Sequence, residues 1–202
     1  MAPVAGTISG TFTVVTDGVN DDFNLTELGN LDWAYWDERV NSGSSGAPLT
    51  AGNEKSGGTA IGDIAPTTAA GLRGSSSGDY PSKLDFTYTD GDPSSDDDAD
   101  NDGVATADDR VGILASEFQD GDGVVLEIML PDTVEYTVYL WVAAYDCLGE
   151  LTASVTGASY TDDSMDGIAQ ENPLDSGYYT LQVKPGTANE KLKLVYTIKN
   201  GD

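Results

Sequence analysis

Along much of this chain, apolar side chains recur at every second position, in short runs broken by Gly, Asp, Asn and Pro. The clearest run is Glu135 to Ala144 (EYTVYLWVAA), where Tyr136, Val138, Leu140 and Val142 form one row and Tyr139 and Trp141 lie opposite. A period of two is the mark of an extended strand with two unlike faces. Lys83 to Thr89 alternates in the same way, with Leu84, Phe86 and Tyr88 against Asp85 and Thr87. So does Glu150 to Thr156, with Leu151, Ala153 and Val155 inward. Strands are also expected at Thr7 to Thr16, Leu31 to Trp36, Val111 to Leu114, Val124 to Leu130, Tyr178 to Lys184 and Lys191 to Ile198. Pro185 to Glu190 reads as a hairpin loop between the last two. The Ser-, Gly- and Asn-rich stretch from Asn41 to Gly58 reads as one long surface loop. The aromatic second face of the Glu135 to Ala144 run predicts a central strand or a ligand-facing surface.

No segment sustains a 3.6-residue period, and no repeat of fixed length is present. About nine or ten strands separated by turn residues predict an all-β, antiparallel β-sandwich or jelly roll. The 202 residues fit a single domain, 1–202, with an Asp-rich insertion at about 90–110.

Charge then narrows the function. Thirty-five acidic residues against nine basic ones give a formal charge of −26. Binding nucleic acid requires clustered Lys and Arg to displace counterions, so that partner is excluded, as is docking to an anionic membrane. No apolar run is long enough to insert in a bilayer, and Met1 to Val4 does not read as a signal peptide. Acidity of this degree fits calcium ligation, solubility in a salty medium or repulsion between copies. Histidine is absent, and Cys147 is the one cysteine. That removes His-dependent triads and the common zinc sites, and leaves no internal disulfide. Carboxylate pairs suited to glycoside hydrolysis arise by chance among so many acids, so a non-enzymatic role is expected.

The insertion has its own spacing. Asp98-Ala99-Asp100-Asn101-Asp102-Gly103 continues to Asp109 as D-x-D-x-D-G-x5-D. Calcium takes six to eight hard oxygens, and carboxylates at alternate positions of a tight loop converge on one ion. Asp98, Asp100, Asp102 and Asp109 would supply side chains and Val104 its carbonyl, so Ca2+ is the expected cofactor. These residues resemble the calcium loop of EF-hands, and more closely those of dockerins and thrombospondin type-3 repeats. They depart from the sensor EF-hands at Asp109, where those carry Glu, and in having no preceding amphipathic helix. A structural ion, not a switch, follows from that departure.

Three further stretches carry a wider resemblance: LDWAYWD (Leu31 to Asp37), FTYTDGDP (Phe86 to Pro93) and YLWVAAYDCLGELTASVTG (Tyr139 to Gly157). In that order they are similar to the galactose-binding-like and carbohydrate-binding β-sandwich modules of secreted bacterial carbohydrate-active and cell-surface proteins. The resemblance implies a secreted or surface location and a glycan or cell-surface polymer as partner. Sugar C–H faces stack on aromatic rings while carboxylates and amides bind the hydroxyls. Trp36 and Trp141, with Asp32 and Asp146, are the expected ligand-binding residues. The competing expectation is a structural or adhesive surface protein whose sheet edges pair with other copies of itself.

Overall fold

In the computed structural model, the alternating run at 135–144 becomes the strand Tyr136–Ala144, and six other long strands accompany it. The structure describes residues 4–15, 22–36, 48–51, 53–68, 72–74, 84–92, 104–105, 113–115, 119–144, 147–167 and 175–199. In chain order the long strands are β1 (Thr7–Val15), β2 (Gly123–Leu130), β3 (Tyr136–Ala144), β4 (Cys147–Val155), β5 (Ala158–Gly167), β6 (Asp175–Lys184) and β7 (Glu190–Lys199). Nine pieces of two or three residues complete the strands among the described residues. The protein is all-β: one turn of helix, Leu25–Leu28, interrupts the strands, with the Asn24 side chain accepting from the Glu27 amide (3.3 Å).

Two antiparallel sheets dominate. One has the order β1-β6-β3, and the other runs β5-β4-β7-β2 with Ala65–Pro66 on its far edge. Their inner rows meet in a single cluster of buried side chains. Tyr179, Leu181 and Val183 from β6 join Leu151 and Ala153 from β4, Leu192 and Leu194 from β7, and Leu126, Ile128 and Leu130 from β2. The pleat dictates this division, since cross-strand partners share a face. Leu140 lies opposite Tyr179 and Val138 opposite Leu181, all turned inward; Trp141 lies opposite Tyr178 on the other face.

That other face is covered too. Trp141 and Tyr178 pack against a second cluster made by Val15, Leu25, Trp33, Tyr35, Leu84 and Phe86. Leu84 and Phe86, expected on one face, are both buried there, as are Trp33 and Tyr35, two residues apart: each of the four is no more than 6% exposed. Only Ala34–Tyr35 of the expected Leu31 to Trp36 strand is extended in a ladder.

The fold departs from the sequence reading at four places, three of them corrections and the fourth a strand that reading had not assigned. First, β3 is an edge strand among the described residues, not a central one; its aromatic outer row is explained by the second cluster. Second, Pro185 to Glu190 is no hairpin loop, because β6 and β7 belong to different sheets. The connection crosses the core and is tied by the buried Glu190 carboxylate, which accepts from the amides of Thr156, Gly186 and Thr187. Burial raises the Glu190 pKa, but these donors outweigh it and leave it below the ordinary value. Third, the stretch from Asn41 to Gly58 is not a plain loop where it is described: Leu49 bridges Ile64, and Asn53–Lys55 pairs with Ala34–Tyr35. Fourth, Ala158–Gly167, whose sequence ASYTDDSMDG has no clean apolar row, is a full edge strand with a bulge opposite Gly149 to Leu151.

Candidate binding site

Where β3 ends its own sheet, a cavity of about 840 Å³ opens between it, the inner face of β2 and the segment from Leu31 to Trp36. Ligand sites typically occupy roughly 300–1,000 Å³ and are walled by apolar and aromatic groups with few polar ones. Three of the four expected ligand-binding residues, Trp36, Trp141 and Asp32, lie on its wall. Asp146 lies outside the described residues.

Their local roles differ. Asp32 is a backbone clamp. Its Oδ1 accepts from the Trp33 amide (2.9 Å), and its Oδ2 accepts from the amides of Ala60 (2.7 Å) and Ile61 (3.0 Å). A Cβ on Gly58 would fall 1.9 Å from Oδ1, so glycine is required there for the carboxylate to sit in this loop. Trp36 is half-buried; its Nε1–H donates to the Leu49 carbonyl (3.1 Å), and its ring rests on the main core. Trp141 meets Phe23 and Phe86 edge-to-face, at centroid distances of 5.4 and 5.3 Å, and stacks beside Tyr139 at 5.9 Å. Its Nε1 is buried without a hydrogen-bond partner among the described residues.

A polar network behind the wall fixes the Leu31 to Trp36 segment. Asp90 Oδ1 accepts from Trp33 Nε1 (2.9 Å) and Thr26 Oγ1 (2.7 Å), while Oδ2 pairs with the Lys55 ammonium. Lys55 also donates to the Gly29 carbonyl (3.2 Å). Burial alone would raise the Asp90 pKa; the bonds from Lys55, Thr26 and Trp33 and the charge of Lys55 overcome it and hold the pKa at about 2. Beyond Asp90, a side chain at Gly91 would collide with the Tyr88 and Trp33 rings, whose centroids are 4.6 Å apart. The LDW and TDG stretches, distant in sequence, are thus one packing unit. Sequence reasoning named both stretches without joining them; the only available signal was their shared pattern of an aromatic beside an aspartate.

The expected metal ligands Asp98, Asp100, Asp102 and Asp109 lie outside the described residues. Val104 is described: with Ala105 it forms a short antiparallel ladder with Phe86–Thr87. The donor set, four carboxylates and a carbonyl, is all hard oxygen, the chemistry calcium prefers. Among the described residues, no group of three or more acidic or cysteine side chains converges on a common point. Nor is any helix among them long and apolar enough to cross a membrane.

No protein-family model matches the chain, and no curated protein or solved structure matches it either.

Proposed function

We propose that this chain is a non-catalytic binding module of a secreted or cell-surface protein, a β-sandwich of the jelly-roll kind, stabilised by calcium and binding carbohydrate in the cavity beside β3. The observation that carries the reading is the cavity itself: its volume suits an oligosaccharide segment, and two indole-bearing residues, Trp36 and Trp141, stand on its wall. Trp36 is the stacking platform in this reading, since Trp141 is engaged by Phe23 and Phe86. Asp98, Asp100, Asp102 and Asp109 would hold the calcium by their carboxylates, and Val104–Ala105, within the same stretch of sequence, pairs with Phe86–Thr87. Phe86 belongs to the second cluster, so an ion held there would support the wall on which Trp141 rests.

Cys147, half-buried and on the cavity wall, provides the test. With calcium present, a bound glycan slows alkylation of Cys147 and perturbs tryptophan fluorescence in the same concentration range. A panel of neutral and charged oligosaccharides that leaves both signals unchanged would sink the reading.

The second reading, a self-assembling surface protein, rests on β3, a nine-residue strand that the described residues pair on one side only. It predicts a calcium-dependent polymer in sedimentation, where the binding module sediments as a monomer.

A further inference from the structure

We infer that the glycan taken by this cavity is uncharged or amino-bearing, and that uronic-acid and sulfated glycans are rejected. The inference rests on the cavity being the glycan site. Its basis is the charge of the wall. Glu27, Asp32, Asp122, Asp132 and Glu135 line the cavity, and no Lys or Arg is among the described residues that do.

Among the described residues, no Lys or Arg forms an ion pair with these carboxylates. Asp32 is held by backbone amides, and Asp122 accepts from the Thr68 hydroxyl (2.6 Å) and the Gln119 amide (3.1 Å). Asp132 accepts from the Val134 amide (2.9 Å) and the Tyr136 hydroxyl (2.8 Å), bonds that hold its pKa below the ordinary value. Neutral donors stabilise the negative charge where it is; they do not cancel it. Glu27 and Glu135 are exposed at the edges of the wall. Lys55, which also donates to the Gly29 carbonyl just before the Leu31 to Trp36 segment, is paired with Asp90.

Field lines from like charges concentrate in a cleft with apolar walls, so the site repels an anion before any contact forms. An ammonium group gains from the same field and, where it lies against Trp36 on the wall, from the indole ring. A bound anion would also leave its own charge unpaired against apolar side chains, which is unfavourable. The preference is therefore set by exclusion as much as by attraction.

The experiment uses the full chain with calcium and three oligosaccharides of equal length: N-acetylglucosamine (neutral), glucosamine (cationic) and galacturonate (anionic). Cys147 protection and calorimetry read binding at low and moderate salt. The expected order is glucosamine first, the neutral sugar next and galacturonate last, about tenfold or more weaker than the neutral sugar at low salt, a gap that narrows as salt rises. Glu27→Gln with Glu135→Gln, two changes at exposed positions, raises galacturonate binding relative to the neutral sugar. Galacturonate binding as tightly as the neutral sugar would overturn the inference while leaving the cavity as the glycan site. Binding of none of the three would overturn the site assignment itself, and the inference with it.

Discussion

The indole N–H of Trp33 donates to the Asp90 carboxylate at 2.9 Å, joining two residues 57 positions apart in the chain. Around that bond, Thr26 and Lys55 complete the environment of one carboxylate, and four separate stretches of sequence are thereby fixed to one another.

Acid should release this network in a defined window. The folded-state pKa of Asp90, about 2, lies below the ordinary aspartate value of 3.8, so the unfolded chain binds more protons between them. The stability Asp90 contributes is complete above pH ~4 and disappears as the pH falls through ~2. Urea melts from pH 5 to pH 2 should show a decline in the wild type that is shallower in Asp90→Asn. At neutral pH the same variant should lose about 1–3 kcal/mol, the usual cost of weakening a partly buried, charge-assisted bond. Identical pH slopes for the two proteins would refute the assignment.

Gly58 and Asp32 should behave as a unit. A methyl at Gly58 occupies the space of Asp32 Oδ1 and forces the carboxylate from the amides of Ala60 and Ile61. Gly58→Ala and Asp32→Ala are each expected to destabilise by about 1–3 kcal/mol. The double variant should cost clearly less than the sum, because the second change removes a clamp already broken. Additive losses in chemical denaturation would show that the two positions act independently.

Tyr179 makes the opposite case. Its ring is fully buried against Phe12 (4.8 Å between centroids), but its hydroxyl makes no hydrogen bond of good geometry among the described residues and is left with a weak interaction with the Asp162 carboxylate. Removing a poorly satisfied buried hydroxyl relieves a desolvation cost that so weak a bond does not offset. Tyr179→Phe should therefore be neutral or stabilising by up to about 1 kcal/mol, measured by melting temperature. A loss larger than that would reveal a partner for the hydroxyl.

Trp141→Ala should cost about 2–3 kcal/mol, below the full cost of a wholly buried indole, since the half-buried ring joins Phe23, Phe86 and Tyr178 into one cluster on the outer face of β3. Trp36→Leu keeps apolar volume against the core and forfeits the bond to Leu49, so a loss nearer 1 kcal/mol is expected. Paired thermal melts decide it; equal losses would place both rings in equivalent packing.

How far the sequence could be read depended on whether a segment's own side chains carried its fate. β4 and β7 were legible because Leu151 and Leu194 alternate with polar or less buried positions and a pleated strand has no other way to bury them, and β3 because its two apolar rows, Val138 and Leu140 against Tyr139 and Trp141, repeat with a period of two. β5 was not: its inward row includes Asp162, which accepts from Tyr160 (3.0 Å) at the margin of the core, and a bulge shifts the register midway. The passage from β6 to β7 was misjudged because Pro-Gly-Thr-Ala-Asn-Glu signals a turn without saying which sheet the next strand enters; the deciding group, Glu190, looked like a surface charge. At the site, aromatic residues near Leu31 to Trp36 could be picked out, whereas the engagement of Asp32 with the loop at Gly58 to Ile61 depends on tertiary folding alone.

Calcium should stabilise the fold through Asp98, Asp100, Asp102 and Asp109. A ligand that binds only the native state adds about 2.7 kcal/mol at a hundredfold excess over Kd. Chelation should lower the melting temperature, and Asp100→Ala should reproduce most of the drop and abolish the response to chelator. An unchanged melting temperature after verified metal removal would refute a stabilising ion.

The crossing from β6 to β7 has a consequence for how the protein is made. β6 is the middle strand of one sheet, flanked by β1 and β3, and β7 lies inside the other, flanked by β4 and β2. Neither sheet can close before Asp175–Lys199 has left the ribosome. Until then β1, β2, β3 and β4 present open edges and unburied apolar rows, the condition in which nascent chains aggregate. The surplus of negative charge counters that hazard by holding unfinished chains apart. Acidity so viewed serves the protein during synthesis, before any ligand is met.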